Sequence, residues 1–223
     1  MPLNGNSDIS FDHIEILSRN SKKKVHINKI KNLSKFLKQK VKKDIKIITK
    51  KNKNFSNFNF NNIPNIMGIL NLTPDSFSDG GKFNKKGLGY NQAISFSKFG
   101  ASVIDIGGES TRPGSKTIKK KVELNRVMST IKKLRNEKIS LSLDTRKSEI
   151  MEKGIKNGIK LINDISGLKH DKDSIKILKK YNTPFVIHHI QGIPETMQIN
   201  PKYKNVLFDI YDFFEERIKF IRF

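Results

Sequence analysis

From residue 63 onward, short apolar runs alternate with longer stretches in which apolar residues recur three and four positions apart. The runs at 66–70, 102–106, 139–143, 160–163 and 185–190 predict strands. The stretches at 88–99, 122–137, 147–157, 173–181 and 203–221 predict helices, the last with Val206, Ile210, Phe213, Phe214, Ile218 and Ile221 as its apolar stripe. Strands alternating with helices at this spacing imply βα units on a parallel sheet. No Gly-x-Gly-x-x-Gly follows the first strand, so a (β/α) barrel is favoured over a doubly wound nucleotide-binding fold. Five units are recognisable, against eight in a closed TIM (β/α)8 barrel of about 250 residues. The helix that runs into Phe220-Ile221-Arg222-Phe223 ends on apolar residues, which expects a further element to cover it. The expected fold class is therefore α/β, an incomplete barrel over 63–223.

Residues 1–62 read differently. They hold 15 Lys and Arg against 4 acidic residues, more than twice the net positive charge per residue of the rest. Apolar pieces at 13–17 and 45–48 flank a Lys-rich helical pattern at 30–41, and the polar, aromatic stretch 54–62 reads as a linker. The expectation is a Lys-rich, solvated N-terminal extension with no function legible in its residues.

Composition narrows the function classes. The net charge of +23 would suit a nucleic-acid partner. However, the basic residues are mostly Lys, Asn and Ile are abundant too, and no zinc-finger spacing, RNP-like aromatic motif or Arg-rich tract appears. Compositional drift is the simpler reading, and no nucleic-acid partner is expected. There is no cysteine, hence no disulfide and no Cys-based metal site. No apolar run approaches the about 18 residues of a membrane span, and the first residues include Asp8 and Asp12 with no apolar signal core. A cytoplasmic protein without a membrane partner is expected.

Polar residues gather just past each predicted strand: Asn71, Thr73, Asp75, Ser76 and Asp79; Glu109, Ser110, Thr111 and Arg112; Asp144 and Thr145; Asn163 and Asp164; His188, His189 and Gln191. That is the catalytic face of a barrel. Each has a plainer alternative. Asp75 and Thr73 suit a turn, Asp144 and Asn163 suit helix caps, and one of His188 and His189, which alternate faces, suits a hydrogen-bonded core position. As a set they point to recognition of a polar heterocycle and an anion. Asp144 supplies acceptors and Asn163 a donor and an acceptor. Arg112 offers a planar fork for phosphate with the Thr111 hydroxyl beside it, and Asn71 offers an oxygen to Mg²⁺. Neither a Ser-His-Asp nucleophile arrangement nor a His-Glu-x-x-His zinc motif stands out.

The string Ile66-Met67-Gly68-Ile69-Leu70-Asn71-Leu72-Thr73-Pro74-Asp75-Ser76-Phe77-Ser78-Asp79-Gly80-Gly81 closely resembles the first signature of the dihydropteroate synthase family. Residues 100–114, Ser142-Leu143-Asp144-Thr145, residues 162–167, and His189-Ile190-Gln191-Gly192 with Thr196-Met197-Gln198 match further segments in family order. The resemblance implies a (β/α)8 barrel that joins p-aminobenzoate to 6-hydroxymethyl-7,8-dihydropterin pyrophosphate, with Mg²⁺ assisting and pyrophosphate released, in folate synthesis. By resemblance Asn71 is the metal-binding Asn, and Asp144 and Asn163 bind the pterin. Thr111 and Arg112 belong to a second mobile loop near pyrophosphate and p-aminobenzoate. Phe77 and Asp79 belong to a first loop that closes over the amine substrate. The catalytic assignments that follow are Asp79 and Arg112.

Two departures accompany the resemblance. His188 stands where the family usually has Met near the pterin, while His189 matches the family His. The family's later segments, an Asp-Pro-Gly strand, a Ser-Arg-Lys segment and an Arg-x-His phosphate site, are not found. The chain thus resembles the front portion of the enzyme. The family's homodimer is implied only in part, because much of its surface comes from late helices. The alternative expectation is a non-catalytic fragment or relic, or half of a split barrel that needs a complementary chain.

Overall fold

The computed structural model describes residues 1–51, 54, 58, 65–73 and 87–222. The chain divides into two compact units, Met1–Asn54 and Phe55–Phe223. Most of the predicted linker, 54–62, lies outside the described residues, as do Phe77 and Asp79.

The first unit is folded around a core of its own, which corrects the expectation of a solvated extension. Strands β1 (Pro2–Leu3) and β2 (Asn6–Ser10) pair antiparallel, and β3 (His13–Ser18) and β4 (Ser21–His26) form a hairpin. A 3-10 turn, Ile27–Asn32, leads into α1 (Lys35–Ile48). Val25, Ile30, Val41 and Ile45 are buried together, with Leu37 packed against them. Leu37, Val41 and Ile45 recur every four residues, so one face of α1 is apolar although the helix is rich in Lys. The sequence places this helix at 30–41, several residues too early. The imidazole of His26 accepts the backbone N–H of Asn28 and starts a separate 3-10 turn, and the chain is extended at Leu33 and Ser34 before α1 begins.

The second unit alternates strand and helix as expected. In order these are β5 (Met67–Asn71), α2 (Leu88–Lys98), β6 (Val103–Gly107), α3 (Lys120–Leu134), β7 (Leu141–Asp144), α4 (Ser148–Lys156), β8 (Leu161–Asp164), α5 (Ser174–Tyr181), β9 (Phe185–Ile187) and α6 (Val206–Arg222). The strands form one parallel sheet in chain order, five consecutive βα units of a partial (β/α) barrel. Leu70, Ile106, Leu143 and Ile162 project from one face into a core with Val127, Ile131 and Leu134 of α3, Ile150 and Met151 of α4, and Leu178 of α5. Strand residues alternate sides, so Asn71, Gly107, Asp144 and Asn163 fall on the opposite, inner face.

Strand β9 is shorter than the apolar run 185–190 because Ile187 already pairs with Asp164, the last residue of β8. Helix α6 starts at Val206, where the Asn205 side chain accepts the N–H groups of Leu207 and Phe208. Its buried position is Arg217, whereas Val206 and Ile218 of the predicted stripe are exposed. The Arg217 guanidinium donates to the carbonyls of Gly167 and Leu168 at 2.9 and 3.3 Å, tying α6 to the turn after β8. Among the described residues, no helix is long and apolar enough to cross a membrane.

Candidate active site

The parallel register aligns Asn71, Gly107, Asp144, Asn163 and Val186 in one row across the carboxyl ends of the five strands. A second row, two residues earlier on the same face, runs Ile69, Asp105, Ser142, Leu161. Small residues separate the polar ones. Gly107 lies between Asn71 and Asp144; a Cβ there would stand 3.2 Å from Asn71 Oδ1 and 3.7 Å from Asp144 Oδ2. Ser142 lies beside Asp105, and over it Asn163 Nδ2 donates to Asp105 Oδ2 at 2.9 Å.

Asp144 is half-buried and makes no hydrogen bond among the described residues, so its acceptors are available to donors on a ligand. Burial, followed by the negative charges of Asp105, Glu123, Asp164 and Glu109, holds its carboxyl well above the ordinary range. Burial also raises Asp105, against the hydrogen bond from Asn163 and the nearby His188. Perturbed carboxyls at strand ends in a barrel are a binding-site signature. Asp164 points to the other face. Its carboxylate accepts the Ser166 N–H and hydroxyl at 2.7 and 2.6 Å, which makes it a turn-forming residue.

The two histidines separate as their alternation implies. His188 turns to the inner face, with Nε2 2.6 Å from Asn163 Oδ1. His189 packs edge-on against Phe213 of α6 at 4.8 Å between ring centroids, and against Tyr203 at 5.8 Å.

Thr111 and Arg112 are half-buried in the loop after β6. The Ser115 hydroxyl donates to the carbonyls of Ser110 and Arg112, both at 2.7 Å, and closes this turn. The Gly114 N–H donates to the Pro194 carbonyl at 2.9 Å, joining it to the loop after β9. Beneath lies an ion network that sequence reasoning missed. Glu109 accepts from Arg146 (2.7 and 3.1 Å), from Lys147 (2.8 Å) and from the Ile118 N–H (2.9 Å). Lys147 also reaches Glu123, which accepts the Thr145 hydroxyl. All four charged side chains are nearly inaccessible, and two acids face two bases. Burial raises Glu123. For Glu109 burial works the same way, but Lys147, the Ile118 N–H and Arg146 outweigh it and lower the carboxyl.

The structure therefore brings Asn71, Asp144 and Asn163 together and sets Thr111 and Arg112 on an anchored neighbouring loop. It adds Asp105, Glu123, Arg146 and Lys147 to the site and its supports. Asp105 had a signal: it interrupts the apolar run Val103-Ile104-Asp105-Ile106 two residues before Gly107, which puts a charge on the inner face. Among the described residues no group of three His, Asp or Glu could hold a metal ion. Asn71 Oδ1, without a hydrogen-bond partner among the described residues, fits an ion that takes few protein ligands and completes its shell with water and phosphate.

Consecutive βα units that carry an inward row of acceptors and amides at the strand ends are those of a (β/α) barrel protein with its candidate site on that rim. Residues 67–222 match the model of the pterin binding enzyme family, and the chain belongs to that family. It is 39% identical over 158 residues to the dihydropteroate synthase of Synechocystis sp., covering 70% of this chain and 55% of the relative. It is 43% identical over 162 residues to that of Clostridium beijerinckii, with 72% and 58% covered. Among solved structures it is similar to the Yersinia pestis dihydropteroate synthase in a sulfonamide drug complex, with a TM-score of 0.68, 39% identity, and 71% of this chain and 57% of that one covered. The Clostridium difficile dihydropteroate synthase in the presence of pteroic acid gives a TM-score of 0.65 at 39% identity, with 74% and 61% covered. The chain spans little more than half the length of the curated relatives it matches.

Proposed function

We propose that this chain carries the front part of a dihydropteroate synthase site. The reaction condenses 6-hydroxymethyl-7,8-dihydropterin pyrophosphate with p-aminobenzoate in folate synthesis. The observation that carries this reading is the row itself: a half-buried Asp144 carboxyl open to ligand donors, beside an Asn163 amide that is already anchored. The bond between the exocyclic methylene carbon and the pyrophosphate oxygen breaks, the amine nitrogen of p-aminobenzoate bonds to that carbon, and the nitrogen loses a proton. Asp144 accepts from the amino and ring N–H groups of the pterin, and Asn163 complements the adjoining edge. Arg112 and Thr111 take the departing pyrophosphate oxygens. Asn71 would hold Mg²⁺ through its side-chain oxygen, and the ion would supply charge neutralisation at the pyrophosphate. Phe77 and Asp79, outside the described residues, close over the amine substrate in this reading.

The test is pyrophosphate release with both substrates and Mg²⁺, set beside 6-hydroxymethylpterin binding by fluorescence. Asp144→Ala should weaken pterin binding at least tenfold, about 1.4 kcal/mol. A folded chain that binds no pterin would sink the proposal.

A second reading, a half-barrel completed by another chain, draws on Ile69, a large apolar side chain that is 62% exposed on the inner face of β5. Activity that appears only on mixing with a chain supplying the remaining strands would favour it.

A further inference from the structure

Asn163 sits between two partners that want opposite ends of its amide. Its Nδ2 donates to Asp105 Oδ2 at 2.9 Å, and its Oδ1 lies 2.6 Å from His188 Nε2. The assignment of oxygen and nitrogen follows from chemistry. A carboxylate only accepts, so the amide nitrogen must face Asp105; the amide oxygen then faces His188 and only accepts, so Nε2 must carry the ring proton. The terminal torsion of an Asn side chain is soft and nearly two-fold. One hydrogen bond leaves the amide free to pivot, and two at opposite ends fix its plane. The His188 ring has no other hydrogen-bond partner among the described residues, and it is exposed while Asp105 is buried.

We propose that His188 is a specificity-determining positioning residue, which clamps the Asn163 amide against Asp105 so that it presents one acceptor and one donor to the ligand in a fixed order. With one lone pair and one N–H already used, what remains is a single acceptor next to a single donor. That pair complements a ring edge carrying an amino group beside an unprotonated ring nitrogen, and it rejects an edge on which the amino group has become a carbonyl and the nitrogen carries a proton. Rejection arises because a mispaired edge leaves buried polar groups unsatisfied. The ligand class rests on the pterin reading above; the clamp itself does not.

Two measurements on the full chain test this. The first needs no ligand: nitrogen NMR of the His188 ring in the neutral form should show the proton on Nε2, and the proton on Nδ1 would overturn the clamp. The second compares 6-hydroxymethylpterin with its 2-oxo analogue, 6-hydroxymethyllumazine, in the parent, His188→Gln and His188→Leu. Gln supplies an N–H donor at similar reach and should keep affinity within about threefold and the preference intact. Leu, which fills the space without a donor, should lose about tenfold for the pterin and narrow the ratio between the two ligands. Equal preference in parent and Leu variant overturns the inference. A parent that binds neither ligand, while the Nε2 proton is seen, refutes the pterin reading and leaves the clamp standing.

Discussion

The side-chain oxygen of Asn71 leans over Gly107, 3.2 Å from the point where a Cβ on that glycine would stand. The glycine is there for space. It lets an amide from β5 and a carboxylate from β7 converge across the strand that separates them. Gly107→Ala should therefore fold normally, because only the end of the Asn71 side chain must give way. It should weaken 6-hydroxymethylpterin binding by about tenfold, a cost of about 1.4 kcal/mol. Unchanged affinity with an unchanged melting temperature would mean that the convergence has no bearing on the ligand.

Lys147 is the only cation that touches both buried acids, Glu109 and Glu123, among the described residues. Lys147→Ala should destabilise by about 3–5 kcal/mol, since it leaves buried charge without its partner. Urea unfolding reads this directly. A loss below about 1 kcal/mol would show that water reaches the network and compensates.

Glu152 bridges α4 and α5, accepting from Tyr181 at 2.8 Å and pairing with Lys180 at 3.0 Å and Lys156 at 3.3 Å. The Tyr181 hydroxyl, then the two lysines, lower its carboxyl to about 2. A depressed acid stabilises the fold above its unfolded pKa and loses that contribution as pH falls through the folded value. The bridge should thus hold at pH 5 and fade between about pH 4.5 and pH 2. NMR titration of the Glu152 carboxyl should place its midpoint well below 4, and Tyr181→Phe should move it upward. A midpoint near 4.5 in both proteins would exclude the bridge in solution.

Gly154 seats α4 on the sheet. A Cβ at this position would come within 2.5 Å of Leu143 Cδ2 and 3.2 Å of Ile159 Cγ1. Gly154→Ala gains helix propensity of about 1 kcal/mol but overpacks a closed core, which costs about 1–3 kcal/mol. Net destabilisation is expected in thermal unfolding; a more stable variant would show that α4 can lift off β7 freely.

Much of this architecture is legible in the sequence, for identifiable reasons. Buried parallel strands need apolar runs, so β5 to β8 announce themselves within two residues of their ends. The end of β9 is invisible because it is set by Asp164 on another strand. In the first unit, α1 hides its start behind uniform Lys content, and the break before it depends on one imidazole acting as a cap. Asn71, Asp144 and Asn163 could be found because polar residues that close apolar strands are conspicuous. Glu123 and Lys147 could not. Each looks like an ordinary residue of an amphipathic helix or a turn, and only the return of the β7 loop beneath the β6 loop makes them partners. Arg217 likewise reads as a solvated charge until the turn at Gly167 supplies carbonyls for it.

The sheet grows in the order in which the chain is made, β5 first and β9 last, each strand laid beside its predecessor. Every wall of the inner row therefore needs only what has already been synthesised: Gly107 settles next to Asn71, Asp144 next to Gly107, Asn163 next to Asp144. The strand pairings that build the row join neighbouring βα units, so loop-closure entropy stays small at each step, and the Asn163–Asp105 bond then reaches back over one strand. His188 comes last and meets an amide already in place. The recognition surface is assembled like masonry, course upon course, and needs no distant segment to return and complete this part of it.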